Sequence, residues 1–188
     1  MSINLLEAVQ IQMGYPSLQK IDPNKQEPAA NLSTPDGHRF GQAAIPGVLT
    51  ALYRYSRTDE GVKNILGGTN YTDWIDLIFA DKKQNAVQRI AFYSYYSMQN
   101  AELKMNAIAA FSVRIIKETL PAESSIPDVK KFIAGQRSNI LPYLPAVLQM
   151  GELLYDNTLD DRTHKMEGPV SIMGNIIGDR FSEGELEN

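Results

Sequence analysis

The stretch that most limits what this chain can become is 101–120, AELKMNAIAAFSVRIIKETL. It has no Pro or Gly and is rich in good helix formers. Its middle, 107–111, carries no polar residue, and the polar residues around it (Glu102, Lys104, Asn106, Ser112, Arg114, Lys117) point in several directions on a helical wheel. A helix apolar all round is a buried helix. The expectation is therefore an all-α, multihelical fold in which 101–120 is the central buried rod, capped by Ser97.

Helical signals elsewhere agree with that class. Asn4 and Glu7 have the spacing of a capping box, in which Asn4 accepts from a free backbone N–H and Glu7 reaches back. Leu5, Leu6, Val9 and Met13 supply the apolar side of the helix they open, and 16–21 follows as a second helical piece. Ile45, Val48, Leu49, Leu52 and Tyr53 recur at helical spacing and predict a helix over 40–56, with Pro46 in its first turn or at a kink. Thr58 opens a short helix that Gly67 and Gly68 stop. An apolar helix over 72–79 follows. Asp81, with Gln84 three residues on, reads as the cap of a helix over 82–95. Ser125 and Asp128 start another. Pro142 and Pro145 split 138–155 into two pieces, the longer from Pro145 on. Ile45-Pro-Gly-Val-Leu49 and Leu144-Pro-Ala-Val-Leu148 look alike and raise a pair of helical halves.

The exceptions are few. Residues 22–38 hold Pro23, Pro28, Pro35 and Gly37 and almost no apolar side chain, so a surface loop is expected. Residues 157–168 are polar. Pro169 opens a last amphipathic stretch with Val170, Met173, Ile176, Ile177 and Phe181 on one side, and 182–188 is an acidic, disordered tail. The whole reads as one helical domain over 1–181 with that tail appended.

Composition narrows the function classes. The chain has 188 residues, a net charge of -4 and no cysteine. Disulfides, thiolate catalysis and cysteine-held metals are excluded, and a cytoplasmic location is expected. Basic residues occur singly or in pairs, as at Lys82 and Lys83, which argues against a surface that tracks nucleic-acid phosphates. No apolar run is long enough for a membrane span, and 1–14 lacks the basic start of a signal peptide.

Three blocks carry a family resemblance: MSINLLEAVQIQMG, AAIPGVLTALYRYSRTDEGVKNILGG and IPDVKKFIAGQRSNILPYLPAVL. In order and rough spacing they resemble the YidB-like family of bacterial proteins of unknown function, over most of 1–155. The resemblance implies layered antiparallel helices and no catalytic residues. The chain departs from it in the Pro-rich loop, the tyrosines of 92–96 and the extension after Asn157.

Two constellations can carry chemistry. Asp160, Asp161, His164 and Glu167 fall at spacings that share a helix surface. Carboxylates and an imidazole together suit a divalent metal, so Asp160, His164 and Glu167 are the candidate metal set of a metal-dependent or small-molecule enzyme. No second acid-x-x-His pair exists to face them, and such a charge run is usually a solvated polar turn. The other constellation is Phe92-Tyr-Ser-Tyr-Tyr96. Tyr93, Tyr95 and Tyr96 are the candidate binding residues, because tyrosine joins an apolar body to a polar tip; core packing at a helix end is the alternative. Neither His38 nor His164 has a nucleophile context, so no catalytic residue is assigned and no cofactor is expected. The reading is a non-enzymatic helical protein that binds a protein partner or itself, with no nucleic acid. The 170–181 stripe would pack on its own domain or across a homo-oligomer. Truncation after Gly168 is expected to lower the melting temperature in the first case and to yield a monomer by light scattering in the second. Unchanged stability and unchanged mass would make the stripe a free tail.

Overall fold

The computed structural model describes residues 3–21, 36–67, 73–156 and 158–159. The described residues form helices and 3-10 turns, and no strand occurs among them. In chain order the helices are α1 (Leu5–Gln12), α2 (Asp36–Tyr55), α3 (Asp59–Gly67), α4 (Trp74–Phe79), α5 (Lys83–Ser94), α6 (Met98–Thr119), α7 (Ile126–Gly135), α8 (Arg137–Ile140) and α9 (Met150–Leu153). The all-α class read from the sequence stands.

The centre of the packing is α2. Every residue from 39 to 52 is buried, and α1, α4, α5, α6 and α8 all pack on this helix. Its sequence explains why. Phe40, Ile45, Val48, Leu49 and Leu52 give it large apolar side chains, while Gly41, Ala43, Ala44, Gly47 and Ala51 give it shallow surfaces between them. A Cβ on Gly41 would lie 3.0 Å from the Tyr15 ring, and one on Gly47 would lie 3.3 Å from Ile90 Cδ1 of α5. Neighbours therefore approach on all sides. Pro46 sits inside the helix, which continues past it. Thr50 donates to the Pro46 carbonyl at 2.7 Å, one turn on.

The expectation of a rod buried all round over 101–120 is corrected. The helix is real and slightly longer, but it is one-sided. Ala101, Met105, Ile108, Ala109, Ser112, Val113, Ile115 and Ile116 are buried, whereas Leu103 is 71% exposed and Ala107, Ala110 and Arg114 lie open beside it. The reason is alanine, which favours helix strongly yet loses little when left in water. An unbroken apolar run made largely of alanine marks a helix without marking burial.

Caps behave mostly as their spacing predicts. Asn4 accepts from Glu7 N at 3.3 Å, Thr58 from Gly61 N at 3.0 Å and Ser97 from Asn100 N at 3.3 Å. Ser125 and Asp128 form the reciprocal box. Asp81 does not cap α5. A 3-10 turn over Ala80–Lys82 intervenes, and the Asp81 carboxylate pairs with Lys82 at 2.9 Å. The expected loop ends earlier than His38, since α2 already begins at Asp36. The region 138–155 breaks into four short pieces rather than two: the end of α8, 3-10 turns at Leu141–Tyr143 and Ala146–Leu148, and α9. The two Leu/Ile-Pro echoes differ in conformation, one mid-helix and one passing from extended chain into a 3-10 turn, so they are not a structural repeat.

Where the chain has no helix, side chains satisfy its backbone. Residues 15–21 are extended rather than helical. Gln42, buried in α2, accepts from Gln19 N at 2.8 Å and donates to Gln19 O at 2.9 Å and Tyr143 O at 2.8 Å. Ile21 N donates to Pro142 O at 2.8 Å. Gln136 does the same at the start of α1, accepting from Leu5 N at 2.9 Å and donating to Ile3 O at 3.0 Å. In α6, Asn106 Oδ1 accepts from Trp74 N at 2.7 Å and Ile75 N at 3.3 Å, so one helix caps another. Arg89 of α5 donates to Leu148 O at 2.9 Å and Gln149 O at 3.0 Å.

The one-sidedness of α6 is directly testable. Ile108→Asp, at a fully buried position, is expected to abolish the cooperative melt, since it buries an unpaired charge. Leu103→Asp is expected to change stability by no more than about 0.5 kcal/mol. Equal losses at both positions by calorimetry would restore the picture of a helix buried on every side.

Candidate contact surface

The last turn of α5 and the first turn of α6 build an aromatic surface from a tight cap. Ser94 Oγ donates back to Ile90 O at 2.7 Å. Tyr95 then adopts the left-handed conformation, with φ 59 and ψ 27, and Tyr96 N reaches back to Ala91 O at 3.0 Å. Glycine ordinarily fills such a position. A residue with a Cβ there costs about 1–2 kcal/mol. Ser97 returns to extended backbone and caps α6.

This path sends adjacent tyrosines opposite ways. Tyr96 turns inward and stacks on Phe40 of α2, with centroids 4.7 Å apart and planes at 29°. Tyr15 follows on Phe40 at 6.1 Å. Burial pushes the Tyr15 phenol above its ordinary pKa, and Tyr96 adds to the push. Tyr93 is half-buried against the core. Tyr95 turns outward, 61% exposed, with the Arg39 guanidinium 4.7 Å from its ring centre. On either side of it in the chain stand Phe92, 48% exposed, and Met98, 44% exposed. Lys104 lies 5.8 Å from the Tyr96 ring.

Of the three tyrosines predicted to bind, one faces solvent and two do not. Phe92, part of the sequence constellation but not among its named binding residues, and Met98, which the sequence reading does not single out, are exposed beside it in the chain. A signal for Phe92 was present: it follows Gln84 and Gln88 at intervals of four, on the open face of α5. A large ring on a polar helical face is not core.

The left-handed backbone is not unique to Tyr95. Tyr155 also has positive φ and is exposed, but it stands against Lys82, 4.6 Å from the ring centre, and no other large exposed apolar residue neighbours it in sequence.

The polar clusters among the described residues tie elements together. Lys83 of α5 bridges Asp76 of α4 at 2.5 Å and Glu102 of α6 at 2.9 Å, and those hydrogen bonds hold its ammonium above the ordinary lysine pKa. Asp156 pairs with Arg57 and accepts from Thr158 N and Thr158 Oγ1. Burial works to raise its carboxyl, and the Thr158 hydrogen bonds with the Arg57 charge outweigh that, leaving its pKa below the ordinary value. Arg137 donates to Thr158 O at 2.6 Å. These contacts fasten Asp156 and Thr158 beside the C-terminal end of α2.

The candidate metal set Asp160, His164 and Glu167, with Asp161, lies outside the described residues, as do the 170–181 stripe and most of the Pro-rich loop. Among the described residues no three His, Cys, Asp or Glu side chains gather in a way that could hold a metal ion. No helix there is long and apolar enough to cross a membrane. Compared with protein-family models, curated proteins and solved structures, the chain matches none.

Replacing the two divergent tyrosines separates their roles. Tyr95→Gly relieves the left-handed backbone while losing one exposed cation–π contact, so stability is expected to change by no more than about 1 kcal/mol. Tyr96→Ala removes a stacked, half-buried ring and is expected to cost about 2 kcal/mol or more. Denaturant melts check both. A Tyr95→Gly loss as large as that of Tyr96→Ala would make Tyr95 a structural residue and not a contact residue.

Proposed function

We propose that this chain is a non-enzymatic helical module whose working surface is the exposed Phe92–Tyr95–Met98 cluster, and that the cluster receives a protein segment. The observation carrying this reading is three large apolar side chains left exposed between residues 92 and 98, where α5 ends and α6 begins, one of them held outward by a backbone conformation that side chains disfavour. Aromatic side chains and Met are enriched at the cores of protein interfaces, and an aromatic ring buries much area with few rotors to freeze. Arg39 beneath the Tyr95 ring sets the ring's orientation before contact, which lowers the entropy lost on binding. Kinship with the YidB-like bacterial proteins and a cytoplasmic setting belong to the same proposal and rest on the sequence blocks and the absence of cysteine. The metal-dependent alternative at Asp160, His164 and Glu167 gains nothing from the described residues and is not carried further.

Site-specific photo-cross-linking in cells expressing the full chain provides the test. With p-benzoylphenylalanine in place of Phe92, a discrete adduct is expected. The same probe in place of Lys63, exposed on α3, should give none. A blank at 92, or the same pattern at both positions, would overturn the reading.

A further inference from the structure

Granting that contact surface, we infer that its resident occupant is the chain's own segment 170–187, seated on it within a single copy of the molecule. Three observations meet here. The first is reach. Asp156 and Thr158, through Arg57 and Arg137, fix the chain at the C-terminal end of α2, whereas Arg39 and Tyr95 place the aromatic cluster at the N-terminal end. Between Arg39 and Tyr55 the helix rises about 24 Å. The polar spacer from Asp160 to Gly168 spans up to about 30 Å when extended. It is long enough to bring Val170 from one end of α2 to the other.

The second observation is apolar complementarity. The segment carries Val170, Met173, Ile176, Ile177 and Phe181 in one stripe, followed by Leu186. Soluble chains rarely leave such a stripe and an aromatic surface both uncovered, and joining them covers both. Tethering makes the event intramolecular, at an effective concentration in the millimolar range for a short linker.

The third observation is charge. No acidic residue occurs between Asp81 and Glu102, the stretch that forms α5 and the turn bearing the cluster; Lys82 and Lys83, at the far end of α5, are already paired with Asp81, Asp76 and Glu102. Arg39 and Lys104 stand against the Tyr95 and Tyr96 rings. The segment brings the opposite sign: Asp179, Glu183, Glu185 and Glu187 against the single Arg180. Two cations against these rings and no carboxylate in the 82–101 stretch favour an acidic, apolar peptide over a basic one.

The test uses purified full-length chain with p-benzoylphenylalanine in place of Phe92, irradiated at low concentration and mapped by peptide mass spectrometry. The expected product keeps the mass of one chain and joins position 92 to a peptide within 169–188. The charge-reversed variant Glu183→Lys/Glu185→Lys/Glu187→Lys, which touches no core residue, should lower that yield about threefold or more. A product of doubled mass, an adduct elsewhere in the chain, or a yield indifferent to charge reversal overturns the inference. A discrete foreign adduct in cells with no intrachain product also overturns it, yet leaves the contact surface standing. No adduct in either setting removes both.

Discussion

The packing of α2 depends on glycine and alanine at the points where its neighbours cross. A helix buried on all sides must present apolar atoms everywhere, yet large side chains everywhere would hold neighbours too far away to close-pack. Gly41 and Gly47 resolve this where Tyr15 and Ile90 arrive. Adding a methyl group at either site forces the neighbour to shift, and interiors resist such overpacking. The aromatic column of Tyr15, Phe40 and Tyr96 exists only because Gly41 leaves room for its first ring. That column in turn holds the α5–α6 turn against α2. The outward pose of Tyr95 is thus set by close contacts beneath it.

Burying α2 so fully creates a second requirement. The segments laid over it, 15–21 and 141–149, satisfy their own backbone groups only in part, and a buried unpaired amide costs about 1–3 kcal/mol. Glutamine meets this requirement because its side-chain amide carries the same donor and acceptor as a peptide group. Gln42 pairs with both backbone groups of Gln19, as a neighbouring strand would. Gln136 treats Ile3 and Leu5 likewise. Neither Gln could be replaced by a residue of similar size without stranding groups on both sides. Two side chains thereby stand in for secondary structure that the entry to α1 and residues 15–21 lack.

What the sequence disclosed follows from this division. Helices whose boundaries carry their own chemistry were legible: Asn4, Thr58, Ser97 and Ser125 cap where local spacing says they should. Arrangements that depend on distant partners were not. Asn106 looks like a polar residue on a helix until α4 is placed against it. The central helix was misplaced because periodicity records apolar character and does not record depth. Alanines at 107 and 110 read as core and are open to water, while Pro46, which reads as a helix start or a kink, is buried in mid-helix. At the candidate surface, the tyrosine cluster was visible as composition, but which ring faces outward is decided by one backbone conformation at Tyr95. No local pattern announces that, since tyrosine is a poor choice for it.

That poor choice is itself informative. Sequences that specify a fold tend to agree with it at every level, and local disagreements collect where something besides folding is required. Glycine would make the same turn after α5 without steric penalty. Tyr95 makes it with a Cβ in a disfavoured conformation and leaves most of its ring in water, so core packing does not explain the residue. The Arg39 contact recovers part of the loss, about 0.5–1 kcal/mol at an exposed site, which does not exceed the backbone cost of about 1–2 kcal/mol. The free chain is then no more stable for having this ring. The balance turns favourable only when a further surface covers Tyr95 together with Phe92 and Met98, where burying each such side chain contributes about 1.5–3 kcal/mol. A residue that is unfavourable alone and favourable when covered is the signature expected of a contact surface, and it ties the local strain at the α5–α6 turn to the function proposed for it.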